Sequence, residues 1–325
     1  MLVDPVRIVW VGERVMTPTA KGARAWLRGG ALVMGLGAVG GAAVLVAGGE
    51  SLEMGQTQKA VEAAYATFKG LQQGNNANDV PLLGQVDPTL FGIALVTTDG
   101  KLVTAGDVGS EVSLQSIAHL FTLAHLMEAS GDAAIRDAMG PDGPAGSIVV
   151  SRLLLGASAR DPWTAIVGTY SAFAGRRLVV DPRLYARRPA GDGDPARDLD
   201  LRQRAVAVNA IDLATMAATL ANGGVNPRTG ATVLASRRVG AVLAVMAMAG
   251  LAGASGQWLY ETGLPAKSGA GGAILAVCPG RFGIAAISPP LDGAGNSVRA
   301  QKAIAYVAGA LQANPYAARP LSAQR

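Results

Sequence analysis

The feature that most constrains this chain is an uncharged run over residues 29–49, whose inner part, 31–47, contains only Ala, Val, Leu, Met and Gly. A helix of that length comes close to crossing the hydrocarbon core of a bilayer. Lys21, Arg24 and Arg28 precede the run and Glu50 and Glu53 follow it, a charge step that predicts a cytoplasmic N-terminus and a periplasmic or extracellular remainder. A buried Gly/Ala-rich core helix is the bland alternative. A cleaved signal peptide fits less well, because the charged stretch of about 30 residues ahead of the run is long for an n-region. The resulting layout is a cytoplasmic segment at 1–30, a single-pass anchor in the inner or plasma membrane at 31–49, a globular domain at 50–315 and a tail at 316–325. Gly37, Gly40 and Gly41 would give the anchor a smooth face for contact with the helix of a membrane-protein partner.

Composition narrows the rest. Half of the 325 residues are hydrophobic and 16% are charged, which excludes a disordered chain. Aromatics are only 5%, so the core must be built on Ala, Val, Leu and Met. One cysteine, Cys278, and two histidines allow no internal disulfide and no His-rich metal site. Neither metal nor cofactor is expected. The net charge of +5 is spread along the chain without a basic block, so nucleic acid is not an expected partner; a homo-oligomer stays open.

Periodicity predicts helices near 57–71, 116–129, 147–155, 163–173, 210–221, 233–248 and 297–311. Apolar runs at 90–106, 273–277 and 282–288 read as strands, the first folded on itself at Asp99-Gly100 in a type I′ turn. The Arg-, Pro-, Gly- and Asp-rich stretch 181–200 reads as a solvated loop, with Arg183, Arg187, Arg188, Arg197 and Tyr185 as candidates for an interface. Strands at both ends with helices between predict an α+β domain whose terminal segments share one sheet.

The run Gly263-Leu-Pro-Ala-Lys-Ser-Gly-Ala-Gly-Gly-Ala-Ile-Leu-Ala-Val, with Ile287-Ser-Pro-Pro-Leu-Asp and Gly295-Asn-Ser-Val-Arg299, resembles the serine-dependent glutaminases. Val86-Asp-Pro-Thr-Leu-Phe-Gly-Ile-Ala94, Leu114-Gln-Ser-Ile117 and Leu220-Ala-Asn-Gly-Gly-Val-Asn-Pro227 are similar too. The resemblance spans about residues 52–314. It implies a β-lactamase/penicillin-binding-protein-like sheet with a helical subdomain, and acyl transfer from a serine whose proton goes to a lysine three residues on. Ser116 stands at the nucleophile position, His119 replaces that lysine, and Lys267 survives in the Lys-Ser-Gly motif. Gln115, Ser268, Gly269 and Ala270 match substrate-side positions, Gly269 letting a strand pack closely on the active-site helix.

Other matches depart from the family. Asp79, Pro144, Asp200 and Ala252 stand where polar or aromatic substrate ligands are implied, and Arg187-Arg188 reverses a charge that would hold a substrate ammonium. Two readings follow. In the first, these residues are vestigial and the chain is a catalytically degenerate, membrane-anchored accessory subunit, a pseudoenzyme. In the second, it is an active glutaminase or amidohydrolase in which Ser116 uses His119 as base and backbone N–H groups near Ser116 and Ala270 hold the oxyanion. No carboxylate is evident to orient His119, and His125 lies on another side of the same helix.

Overall fold

The computed structural model describes residues 52–78, 81–131, 139–140, 143–144, 147–157, 161–186 and 193–317. Five antiparallel strands form the central sheet: β1 (Gly92–Thr97), β2 (Leu102–Gly106) and the C-terminal trio β7 (Ala266–Gly269), β8 (Ala273–Cys278) and β9 (Phe282–Ile287), in the order β2-β1-β9-β8-β7. Outside it β3 (Val112–Ser113) pairs with β6 (Ala207–Val208) and β4 (Met139–Gly140) with β5 (Gly143–Pro144). The terminal segments therefore share one sheet, with Gly92 opposite Ile287 and Thr97 opposite Phe282. β1, β8 and β9 are buried at every position. Their unbroken apolar character follows, because a sheet covered on both faces has no solvent side to alternate toward.

One face carries Ile93, Leu95, Ile274, Ala276, Ile284 and Ala286 and packs on α1 (Met54–Phe68) and the last helix, α11 (Val298–Ala310). The other carries Ala94, Val96, Leu275, Val277, Ala285 and Ile287 and packs on α8 (Ala210–Ala221). α8 begins with a capping box, in which the Asn209 side chain accepts from Asp212 N–H while the Asp212 carboxylate accepts from Asn209 N–H, satisfying two backbone donors at once. Beyond α8 lies the helical part: α3 (Ile117–Ser130), α4 (Ser147–Ala157), α5 (Pro162–Ala174), α7 (Pro195–Arg204) and α9 (Ser236–Ala249); a single short turn, α2 (Pro81–Gly84), precedes β1.

Arg299, only 3% exposed, joins the segments that carry the family-like motifs. Its Nε donates to Ser288 Oγ at 2.7 Å, and its terminal nitrogens donate to the carbonyls of Lys69, Pro88, Thr89 and Leu90. The guanidinium also lies 5.5 Å from the centre of the Phe91 ring.

Several expectations need correction. The β1–β2 turn is not type I′: Gly100 alone has a positive φ, +84°, and Thr97 N–H donates to Lys101 O across a three-residue loop. A type I′ turn would need Asp99 in the left-handed region too. The stretch 181–200 is not a solvated loop throughout, since it contains α6 (Pro182–Ala186) and most of α7. A helix at Ser255–Thr262, α10, was not anticipated. Among the described residues no helix is long and apolar enough to cross a membrane. The anchor at 31–49, with Gly37, Gly40 and Gly41, lies outside them, as do Asp79, Arg187 and Arg188.

A Cβ at Gly283 would meet Ala218 N at 2.1 Å and Ala217 C at 2.4 Å. The backbone of α8 thus rests directly on the middle strand. Gly283→Ala is predicted to destabilise the domain by about 3 kcal/mol in urea denaturation, because neither neighbour is a side-chain tip that can swing away.

Candidate active site

The site is built where α3, α7 and β7 meet. Ahead of α3 the chain turns sharply: Gln115 is buried with φ +50°, an unusual value for a residue with a side chain. It is held there by its N–H on Arg204 O at 3.0 Å and by Nε2 on Ser113 Oγ at 2.8 Å. Backbone strain of this kind persists only where surrounding contacts over-determine it. Next comes Ser116, half-buried at the helix N-terminus, whose backbone is already helical (φ −63°, ψ −13°) and whose hydroxyl makes no capping bond. A serine serving as a cap would have extended backbone and an engaged side chain. Its hydroxyl is left for other chemistry.

One turn on, His119 Nε2 lies 2.6 Å from Asp200 Oδ1. The ring is 16% exposed and the carboxylate 5%. Asp200 Oδ2 accepts from Arg204 Nε at 2.8 Å. Burial works against ionisation of Asp200, but His119 and Arg204 outweigh it and hold the carboxyl below its ordinary value. Desolvation holds the His119 pKa below the ordinary 6.5, opposed by Asp200 and assisted by the charges of Arg204 and Lys267. The ionised carboxylate can only accept, so Nε2 of the neutral ring carries the proton and Nδ1 keeps the basic lone pair.

β7 supplies the third wall. A Cβ at Gly269 would lie 2.9 Å from Leu114 O, and one at Gly271 would lie 2.6 Å from Ser113 O, so the strand and the turn after it press against the segment that leads into Ser116. Lys267 Nζ donates to Gly250 O and Ser268 O, both at 3.0 Å. Desolvation, helped by Arg204, pushes its pKa down to about 8. Ser268 is turned away, its N–H donating to Gly250 O at 3.0 Å and its hydroxyl at 3.4 Å. Among the described residues neither Ser116 N–H nor Ala270 N–H donates a hydrogen bond to another residue.

Two cavities flank this centre. One of about 560 Å³ is lined by Leu82, Val86, Ser113, Val180, Leu184 and Gly271, and one of about 680 Å³ has Ala270, Asn76 and Asp292 on its walls. Ser116, His119 and Lys267 line neither, so chemistry rather than volume marks the site. His125 is separate: its Nδ1 lies 2.8 Å from Thr169 Oγ1 on α5. The side chain at Ala252 is a methyl, its backbone held by Asn296. No group of metal-binding residues occurs among the described residues.

Asp200 and Arg204 are the site residues that sequence reasoning missed. Asp194 followed by Pro195, an N-cap and a first-turn proline, was the available signal for α7, and a helix there puts positions 200, 203 and 204 on one face.

A family model described as Glutaminase matches residues 74–144 and 190–316. A glutaminase of Mycobacterium ulcerans (strain Agy99) is 41% identical over 304 residues, covering 81% of this chain and 95% of its own length. A glutaminase of Colwellia psychrerythraea (strain 34H / ATCC BAA-681) is 40% identical over 299 residues, covering 79% of this chain and 96% of its own. Among solved structures, the probable glutaminase ybaS superposes with a TM-score of 0.78 at 36% identity, covering 82% of this chain and all of that one. These relatives overturn the reading of a degenerate accessory subunit. The pseudoenzyme reading rested on the replaced lysine and the lost substrate ligands; the separate objection to His119 as base, that no carboxylate orients it, is met by Asp200.

The shift at Lys267 has a thermodynamic consequence. Between its folded value of about 8 and the ordinary 10.5, the unfolded chain holds a proton that the folded chain has released, so stability rises with pH across that window. The increment is roughly 2–3 kcal/mol. Lys267→Met removes it: urea denaturation of both proteins at about pH 7.5 and about pH 10 should show the variant's stability rising less than the wild type's by that amount.

Proposed function

The chain belongs to the glutaminase family, and from that premise we propose that it is an active amidohydrolase converting L-glutamine and water to L-glutamate and ammonia, with Ser116 as nucleophile and His119 as base. The observation that carries the reading is the His119–Asp200 pair, one helical turn from Ser116. The names of the relatives support the substrate.

In this mechanism His119 Nδ1 takes the Ser116 hydroxyl proton as Oγ bonds to the carboxamide carbon. Asp200 fixes the tautomer and stabilises the imidazolium, as an orienting carboxylate does in a serine–histidine–aspartate site. The N–H groups of Ser116 and Ala270 receive the negative charge that develops on the carbonyl oxygen, with the Lys267 ammonium adding positive potential. The imidazolium then protonates the amide nitrogen, the C–N bond breaks and ammonia leaves. Water attacks the Ser116 ester with His119 again as base; the ester bond breaks and the proton returns to Oγ.

Ammonia release from glutamine tests this. Wild-type turnover on the order of 1 per second or more is expected, and Ser116→Ala should abolish it while leaving the melting temperature unchanged. Asp200→Asn should cut kcat on the order of a thousandfold, since the ring then loses its tautomer control. A wild-type protein that releases no ammonia above the Ser116→Ala background overturns the proposal.

The pH profile follows from His119. Only the neutral ring accepts a proton, so activity is retained above its pKa and lost as pH falls through it. Desolvation places that acid limb below the ordinary 6.5. A measured kcat/KM limb above that value would contradict the assignment.

A further inference from the structure

The His119–Asp200 contact has a companion deeper in the molecule. Thr122 Oγ1 donates to Gln203 Oε1 at 2.5 Å, one turn further along both helices. The two contacts join residues 119 with 200 and 122 with 203, so α3 and α7 advance together. Tyr170, from α5, closes the second rung: its hydroxyl lies 2.5 Å from Thr122 Oγ1, 2.9 Å from Gln203 Oε1 and 3.2 Å from Ala118 O. The Gln203 amide nitrogen is engaged as well, on Ser151 Oγ at 3.0 Å and Leu199 O at 3.2 Å.

Burial distinguishes the rungs. Thr122, Tyr170 and Gln203 are fully buried, whereas the His119 ring touches solvent. Water can replace a partner lost from His119. It cannot reach the inner rung, where a shift of α7 by one residue, about 100° of rotation, would strip Gln203 Oε1 of both its donors in an apolar interior and leave Thr122 and Tyr170 with only each other and Ala118 O.

We propose that Thr122, Tyr170 and Gln203 are positioning residues that lock α7 in register with α3 and thereby hold the Asp200 carboxylate on the His119 ring. The catalytic consequence rests on His119 being the base; the geometric claim does not. Burial keeps the Tyr170 phenol well above its ordinary range, so it remains a donor at all working pH. The charged groups acting on His119 are Asp200 and Arg204 from α7 and Lys267 from β7. Of these, Asp200 alone favours the protonated ring; the inner rung controls both groups of α7, and Asp200, hydrogen-bonded to the ring, acts on it more strongly than Arg204.

The chain has two histidines, so the full-length protein with 15N-labelled histidine gives two imidazole titrations by NMR, assigned with His125→Gln. In Gln203→Met, Thr122→Val and Tyr170→Phe, the His119 midpoint should fall by more than about half a pH unit while that of His125 stays in place. Thr122→Ser, which keeps the hydroxyl, should titrate as wild type. Turnover should drop on the order of tenfold with KM within about twofold, as expected when a catalytic group is misplaced rather than removed. A His119 midpoint unchanged in all three variants overturns the inference, even if their melting temperatures fall. Tyr170→Phe loses a single oxygen and keeps the test available should Gln203→Met not fold. If the midpoint shifts but wild-type protein releases no ammonia, the positioning role stands and the proposed function fails.

Discussion

A single buried guanidinium holds the frame of this domain together. Arg299 comes from the last helix, yet its partners are the carbonyls of Lys69 and of Pro88 to Leu90 and the hydroxyl of Ser288 at the end of β9. Only arginine presents enough planar donors to meet so many acceptors. The contacts fix where the chain enters β1 and where it leaves β9, and those two strands are neighbours in the sheet. Once they are in register, β8 and β7 follow by short turns, and β7 brings Lys267 and Gly269 to α3. The geometry of the site is therefore inherited from a contact that takes no part in its chemistry.

This arrangement explains what was legible in the sequence. The Val86–Ala94, Ile287–Asp292 and Gly295–Arg299 motifs resemble those of a known family because their residues meet at one packed, hydrogen-bonded junction, where substitution is costly. They fixed the fold correctly and said little about chemistry. Asp200 stands where the resemblance implies a substrate ligand, so the sequence shows no carboxylate for His119, although the two lie 2.6 Å apart. That contact joins residues 81 apart in sequence, within a stretch whose Arg, Asp and Pro content looked like a loop. Charged residues on a short helix with one buried face give a weak periodic signal, and mean polarity hides Leu199, Asp200 and Gln203, all buried. Cation–π contact adds to the concealment: Arg202 lies 4.2 Å from the Trp163 ring centre, so even an outward-facing arginine of α7 serves packing.

The centre also illustrates how a buried ion pair is made tolerable. Taking Asp200 out of water is costly, and the imidazole and guanidinium on its two oxygens offset that cost. Among the described residues Lys267 has no such carboxylate: it donates to two backbone carbonyls, and desolvation, helped by Arg204, loosens its proton. Within one site, then, one group is ionised more readily than usual and another less readily. Titratable groups perturbed in this way are typical of places where protons are moved.

The strand order carries a consequence for how the protein is made. β9 lies in the middle of the sheet but is the last strand synthesised, nearly two hundred residues after β1. At ribosomal speeds of about 5–20 residues per second, β1 waits roughly 10–40 s for its partner. Throughout that interval the β1–β2 hairpin has an open edge, an invitation to pair with another chain. α8 emerges well before β9, and with it the apolar surface that will later cover Ala94 and Val96. Its early docking on the hairpin would shelter one face while the edge stays free. In vectorial synthesis the surface of α8 that packs on Ala94 and Val96 in the finished fold is thus available to the hairpin before its strand partner is.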